Sequence, residues 1–154
     1  MGGVGGVLGL RGCARDVSGL RCLSAQEYTT VAALAAAMFP ADEGFPVGAE
    51  QLDLARGFDA FVADEPPWNQ DDLKKAILLL ELGPMVFDGR AKTFRHLAPA
   101  ERLAHFTRWS EGDQPVRRQA ALALRKVLSV LFYDRPEVWP HIGYEGPLFK
   151  KGAP

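Results

Sequence analysis

With 154 residues, 47% hydrophobic and 24% charged, the chain has the size and composition of one domain able to bury most of its apolar surface. Eighteen Lys+Arg against nineteen Asp+Glu leave a net charge of −1. No cationic excess draws nucleic acid or anionic lipid from a distance, so nucleic acid is excluded as an expected partner.

Residues 1–22 differ from the rest. The opening run MGGVGGVLGL holds only Gly, Val, Leu and the first Met, and Arg11 ends it. It is too short to span a bilayer. It has the texture of the apolar middle of an export signal without the basic front; a Gly-rich leader of no such role is the alternative. Cys13 and Cys22, with eight residues between them, match neither a C-x-x-C redox motif nor a zinc spacing. A disulfide would close this loop in an oxidising compartment, and two unrelated thiols remain the other reading.

Helix signals then follow one another. Ser24 with Glu27 forms a capping box, in which each side chain satisfies a backbone N–H that the helix start leaves unpaired. Tyr28, Val31, Leu34, Ala35 and Met38 recur at helical spacing, and Phe39-Pro40 stops the run. A second helix is expected over about residues 50–64, with Leu54, Phe58, Phe61 and Val62 on one side and Pro66-Pro67 beyond it. The third should start near Asn69 as its cap, with Asp71 and Asp72 favourable to the helix dipole. Its middle, residues 76–80, is apolar all round and predicts the central, most buried helix. Pro84 should kink or interrupt it, leaving Met85, Val86 and Phe87 to pack before the Asp88-Gly89 turn.

Pro99 suits the first position of a fourth helix, with Glu101 in its first turn, Leu103, Phe106 and Trp109 along it, and Gly112 at its end. The fifth runs from about Pro115 to Tyr133 on a stripe of Val116, Ala120, Leu124, Val127, Leu128 and Leu131. After Asp134 the prolines and glycines forbid a regular helix. No alternating run reads as a strand. The expectation is an all-α, single-domain bundle of about five helices, with an extended Pro/Gly/aromatic C-terminal tail. The divisions are a leader over 1–22, a helical domain over 23–134 and a tail over 135–154.

The familiar catalytic constellations fail on spacing. No G-x-G-x-x-G or G-K-[ST] can be laid on the glycines. His96, His105 and His141 share no H-x-x-x-H or E-x-x-H pattern and read as surface or partly packed side chains. Ser110 and Ser129 fall within helices, with no G-x-S-x-G turn to expose a hydroxyl. Arg117-Arg118 lies too deep in the chain for an export motif and reads as a solvated or partner-facing basic patch. Glu81 is either a functional carboxylate or, more often for such a position, one that pairs with an arginine or reaches the helix edge. The chain is therefore expected to have no catalytic, cofactor or metal site of its own. What remains is the tail, where Trp139, Ile142 and Tyr144 either pack over the bundle or form a shaped contact strip.

That tail, Asp134-x-Pro136-x-x-Trp139-x-x-Ile142-Gly143-Tyr144-x-Gly146-Pro147, resembles the C-terminal signature of the gluconate 2-dehydrogenase subunit 3 family. Leu23-Ser24-x-x-Glu27 through Phe39-Pro40 and Leu97-x-Pro99-x-Glu101-Arg102 resemble its helical blocks, so the likeness touches most of residues 23–148. The resemblance implies an all-helical, non-catalytic small subunit. Its partner would be a large FAD-bearing dehydrogenase subunit of the glucose–methanol–choline type, and a cytochrome c subunit often joins the complex. The small subunit would clasp the large one and aid its maturation and export, which places it in the periplasm, with membrane contact only through the complex. The implied interface is Trp139, Pro140, Ile142, Gly143, Tyr144 and Pro147. The twin-arginine signal common in that family has no counterpart before residues 1–10. A free-standing helical binding or regulatory domain is the alternative.

Overall fold

The computed structural model describes residues 17–147. They form α1 (Ala25–Met38), α2 (Leu54–Asp64), α3 (Pro67–Asp88), α4 (Pro99–Glu111) and α5 (Pro115–Tyr133), with 3-10 turns at Phe94–His96 and Trp139–Ile142. No strand occurs among the described residues, and the all-α bundle of five helices is what the sequence predicts.

The capping box forms as read. Ser24 Oγ accepts from the Glu27 N–H at 3.2 Å, and Glu27 Oε2 accepts from the Ser24 N–H at 2.7 Å. Such a cap contributes about 1 kcal/mol. Five of the six residues from Ala32 to Ala37 are alanine, and short side chains let neighbours approach α1 from several sides: α2, α3 and α4 all pack on it. Eight of its fourteen residues are buried, against seven of twenty-two in α3. The central helix is therefore α1, and the expectation that α3 holds that place is corrected. An apolar middle does not bury a helix when the bundle has only enough elements to cover one side of it.

Three boundaries also shift. Residues 50–53 turn rather than start α2, because Asp53 adopts a left-handed backbone (φ 44°). The Asp53 side chain caps the helix through the Arg56 N–H at 3.3 Å and holds the Tyr28 hydroxyl at 2.8 Å. Pro67, not Asn69, opens α3: a proline loses nothing at a first position whose N–H has no helical acceptor. Asn69 instead donates its side-chain amide to Glu65, while the Asn69 and Gln70 N–H groups bond the Pro66 carbonyl. Pro84 does not interrupt α3. It is buried and the helix continues to Asp88, where Gly89 (φ 62°) ends it with its N–H on the Pro84 carbonyl.

The core runs through Leu34 on α1, Leu54 and Phe58 on α2, Leu80 on α3, Phe106 on α4 and Leu128 on α5. The Phe94 turn plugs the gap that α1 and α3 leave beside α4. Each fully buried aromatic or leucine contributes about 1.5–3 kcal/mol by leaving water.

Candidate partner interface and buried polar groups

The tail is positioned by the end of α5. Phe132 stacks on Phe39 at 4.3 Å with an interplanar angle of 12°. The Val138 N–H then bonds the Arg135 carbonyl at 2.9 Å, and Val138 is fully buried. Trp139 is half-buried, its indole Nε1–H donating to the Tyr133 carbonyl at 3.0 Å. The Tyr144 N–H returns to the Trp139 carbonyl at 3.0 Å, and the Tyr144 ring meets the indole edge-on at 5.3 Å. This reversal needs Gly143 in the left-handed region (φ 70°). Gly146 (φ 101°) lies against the indole, where a Cβ would come within 3.2 Å of the ring.

The sequence-predicted strip thus divides in two. Val138 and the Trp139 indole attach the tail to the bundle, whereas Pro140, Ile142, Gly143, Tyr144 and Pro147 face solvent. Ile142 is 45% and Tyr144 46% exposed. The segment carries no α-helix, as its prolines require, but it is more tightly wound than an extended strip. The Cys13–Cys22 pairing involves Cys13, which lies outside the described residues. Cys22 Sγ sits 3.5 Å from Gln70 Oε1.

Three buried ionisable side chains stand inside the bundle, Glu81, Asp59 and His105. Glu81 on α3 is 1% exposed. Its Oε2 accepts from Thr30 Oγ1 at 3.0 Å and from the Arg95 N–H at 3.2 Å. Arg95 Nε lies 3.3 Å from Oε1, an ion-pair distance, without the alignment of a hydrogen bond. The structure shows the arginine pair, and Glu81 does not reach the helix edge. Asp59 on α2 accepts the backbone N–H groups of Arg21, Cys22 and Leu23 at 2.7, 2.9 and 2.7 Å. Burial pushes its carboxyl up most strongly, yet the three amide donors and the Arg21 charge together hold it below the ordinary carboxylate value.

His105 is fully buried, which corrects its reading as a surface or partly packed residue; His96 and His141 are exposed. Its Nδ1 lies 2.8 Å from Asp88 Oδ2, which Arg108 Nη2 also reaches at 2.8 Å. Its Nε2 has no hydrogen-bond partner and points to where Trp109 passes Gly83. Burial lowers the imidazole from its ordinary value, with Asp88 opposing that shift. For Asp88 burial is again the largest influence and raises the carboxyl, but His105 and Arg108 outweigh it and leave it lowered. The carboxylate orients the ring, but the free nitrogen faces the interior, so the imidazole offers solvent no proton acceptor. Sequence inspection misses both arrangements. The helical spacing of His105 beside Phe106 and Trp109 was the one available signal.

Among the described residues no group of three or more His, Cys, Asp or Glu side chains is placed to hold a metal ion, and no helix is long and apolar enough to cross a membrane. A cleft of about 510 Å³ opens between α1 and α3 above Thr30, Ile77 and Leu78.

Fold and site define an all-α bundle that presents a braced aromatic turn at its C-terminal side. No family model, curated protein or solved structure matches the chain.

Proposed function

We propose that the chain is a non-catalytic accessory subunit that clasps a large, FAD-bearing dehydrogenase of the glucose–methanol–choline type, and aids its maturation and export. The partner would oxidise a sugar or another alcohol and hold the FAD, and a cytochrome c subunit would take the electrons. The complex would work in the periplasm. The reading rests on the resemblance of the tail and the helix-start blocks to the gluconate 2-dehydrogenase subunit 3 family. The observation that carries it is the bracing of the exposed tail by its own contacts. Ile142 and Tyr144 stand in solvent on a turn already fixed by Trp139, Gly143 and Gly146. An aromatic held in place before contact loses little conformational freedom on binding, which is what an interface anchor requires.

The alternative, a free-standing helical binding or regulatory domain, draws on Val138 and the Trp139 indole, which fold the tail onto its own core. Co-expression of the tagged chain with its neighbouring genes separates the two readings. A yellow, FAD-absorbing complex is expected, and recovery of the tagged chain alone rejects the subunit reading. Tyr144→Ala should reduce recovery of the partner at least tenfold, about 1.4 kcal/mol, with the helical circular dichroism unchanged.

A further inference from the structure

Two of the exposed apolar surfaces differ in what surrounds them. One is the C-terminal half of α3. The sequence predicts that Met85, Val86 and Phe87 pack inside; they stand outward at 45%, 65% and 39% exposure, and that expectation is corrected, since α4 approaches the other side of α3 at Gly83. Nothing in the structure shows what covers them. The other surface is the C-terminal turn. Tyr133, Ile142 and Tyr144, each about half exposed, gather round the Trp139 indole, which holds the Tyr133 carbonyl at 3.0 Å and meets the Tyr144 ring at 5.3 Å.

Five exposed carboxylates accompany this turn. Asp134 follows Tyr133, Glu137 precedes the indole by two residues, and Glu145 follows Tyr144. The loop that carries Asp42 and Glu43 comes alongside, with the Phe45 ring 5.3 Å from the His141 ring. Asp42 Oδ1 fixes that loop by accepting the Gly44 and Phe45 N–H groups at 2.8 and 2.7 Å. No ion pair among the described residues engages any of the five. Arg135, the arginine of this segment, turns its guanidinium to the Leu52 carbonyl at 3.3 Å, against α2 at Gly57. Lys150 and Lys151 lie outside the described residues. In a chain of net charge −1, negative charge is thus concentrated round one braced aromatic surface. Interfaces set apolar side chains at the centre and charges at the rim, and the rim selects the partner by sign. Carboxylates beside Ile142 and Tyr144 repel phosphate, whether of nucleic acid or of an anionic lipid headgroup. A protein that buries these two side chains without bringing cations would leave the carboxylates less hydrated and still unpaired.

We propose that the aromatic turn docks on a basic protein surface, with Ile142 and Tyr144 entering an apolar pocket that lysines or arginines of the partner surround. The inference rests on reading the tail as a contact surface, and not on the partner's being a flavoprotein.

Two synthetic peptides of about 18 residues test it, sharing one leucine face that is flanked by lysine in one and by glutamate in the other. Each is titrated into the full chain near neutral pH while the NMR signals of the Ile142 methyls and the Tyr144 ring are followed. The lysine peptide should shift both signals and bind about tenfold or more tightly than the glutamate peptide. Tyr144→Ala should abolish binding. Glu137→Gln combined with Glu145→Gln should weaken it about threefold or more and flatten its salt dependence. The helical circular dichroism of these variants should stay unchanged. Equal affinity for the two peptides, binding of neither, or shifts confined to the α3 face overturns the proposal. So does a dimer that Tyr144→Ala disperses, which would make a second copy the occupant, or binding of anionic lipid vesicles through the same two signals. Recovery of the tagged chain alone from co-expression would reject the flavoprotein partner without touching these titrations. A flavoprotein complex recovered while neither peptide binds would reject the basic surface alone.

Discussion

Helices α1 and α3 are both apolar around much of their circumference, yet they end in opposite situations. The alanines of α1 leave room for α2, α3 and α4 to close on it, and only its ends and one edge meet water. In α3 the leucines, Met85 and Val86 extend beyond what α1, α4 and α5 can cover, and the surplus stands outside. Apolar content alone therefore does not rank burial. Side-chain size sets how many neighbours a helix can admit, and the bundle's helix count sets how many are available.

The sharpest break of this comparison is truncation of one leucine on each helix. Leu34→Ala should cost about 2–5 kcal/mol in urea unfolding, since the cavity it leaves is enclosed on all sides. Leu82→Ala, on the open face of α3, should stay within about 0.5 kcal/mol of the parent. Similar losses at the two positions would show that the α3 face is covered within the isolated chain. Next in size is Gly83→Ala. An added Cβ would lie 2.4 Å from Trp109 and 2.9 Å from His105 Nε2. Overpacking of this kind costs about 1–3 kcal/mol, despite the better helix propensity of alanine. A rise in melting temperature would mean that α4 yields more readily than this packing implies.

The smallest effect is on pH dependence. His105 is lowered from its ordinary value of 6.5 by burial, so the folded chain binds fewer protons than the unfolded one below that pH. Its contribution is fully present above pH 6.5 and is lost as pH falls from there through the lowered folded value. Asp59 and Asp88, lowered from 3.8, lose their contribution only further down, as pH falls through their own folded values. Unfolding free energy measured between pH 7.5 and 5 should therefore decline from about 6.5, and His105→Gln should flatten that slope. An unchanged slope in the variant would place the titration elsewhere.

Much of the helical framework was legible because its signals are local. Ser24 and Glu27 lie within one turn of each other, Pro99 and Pro115 mark first positions whose N–H groups need no acceptor, and the stripe on α5 repeats at helical period. The burial of α3 was not legible, since it depends on which other helices arrive and from which side. Nor was the start of α2, where the left-handed backbone of Asp53 is stabilised by Tyr28, twenty-five residues earlier in the chain. The tail was readable as an aromatic segment, but its split into an attached indole and an exposed Tyr144 depends on the carbonyl of Tyr133 and the core site of Val138. Glu81 stands out in the sequence as a carboxylate in an apolar run. Its partner Arg95 is set by the fold rather than by spacing.

The Asp59 carboxylate has one more consequence. Because it gathers the amides of three consecutive residues, 21–23, it ties the segment just before α1 to α2. A protease that stopped at Gly19 would leave that clasp whole. One that cut after Arg21 would strand a buried negative charge with fewer donors and loosen the seat of α2. The clasp is thus a seam between the approach to α1 and the flank of α2, and a cut inside it would be felt by both helices.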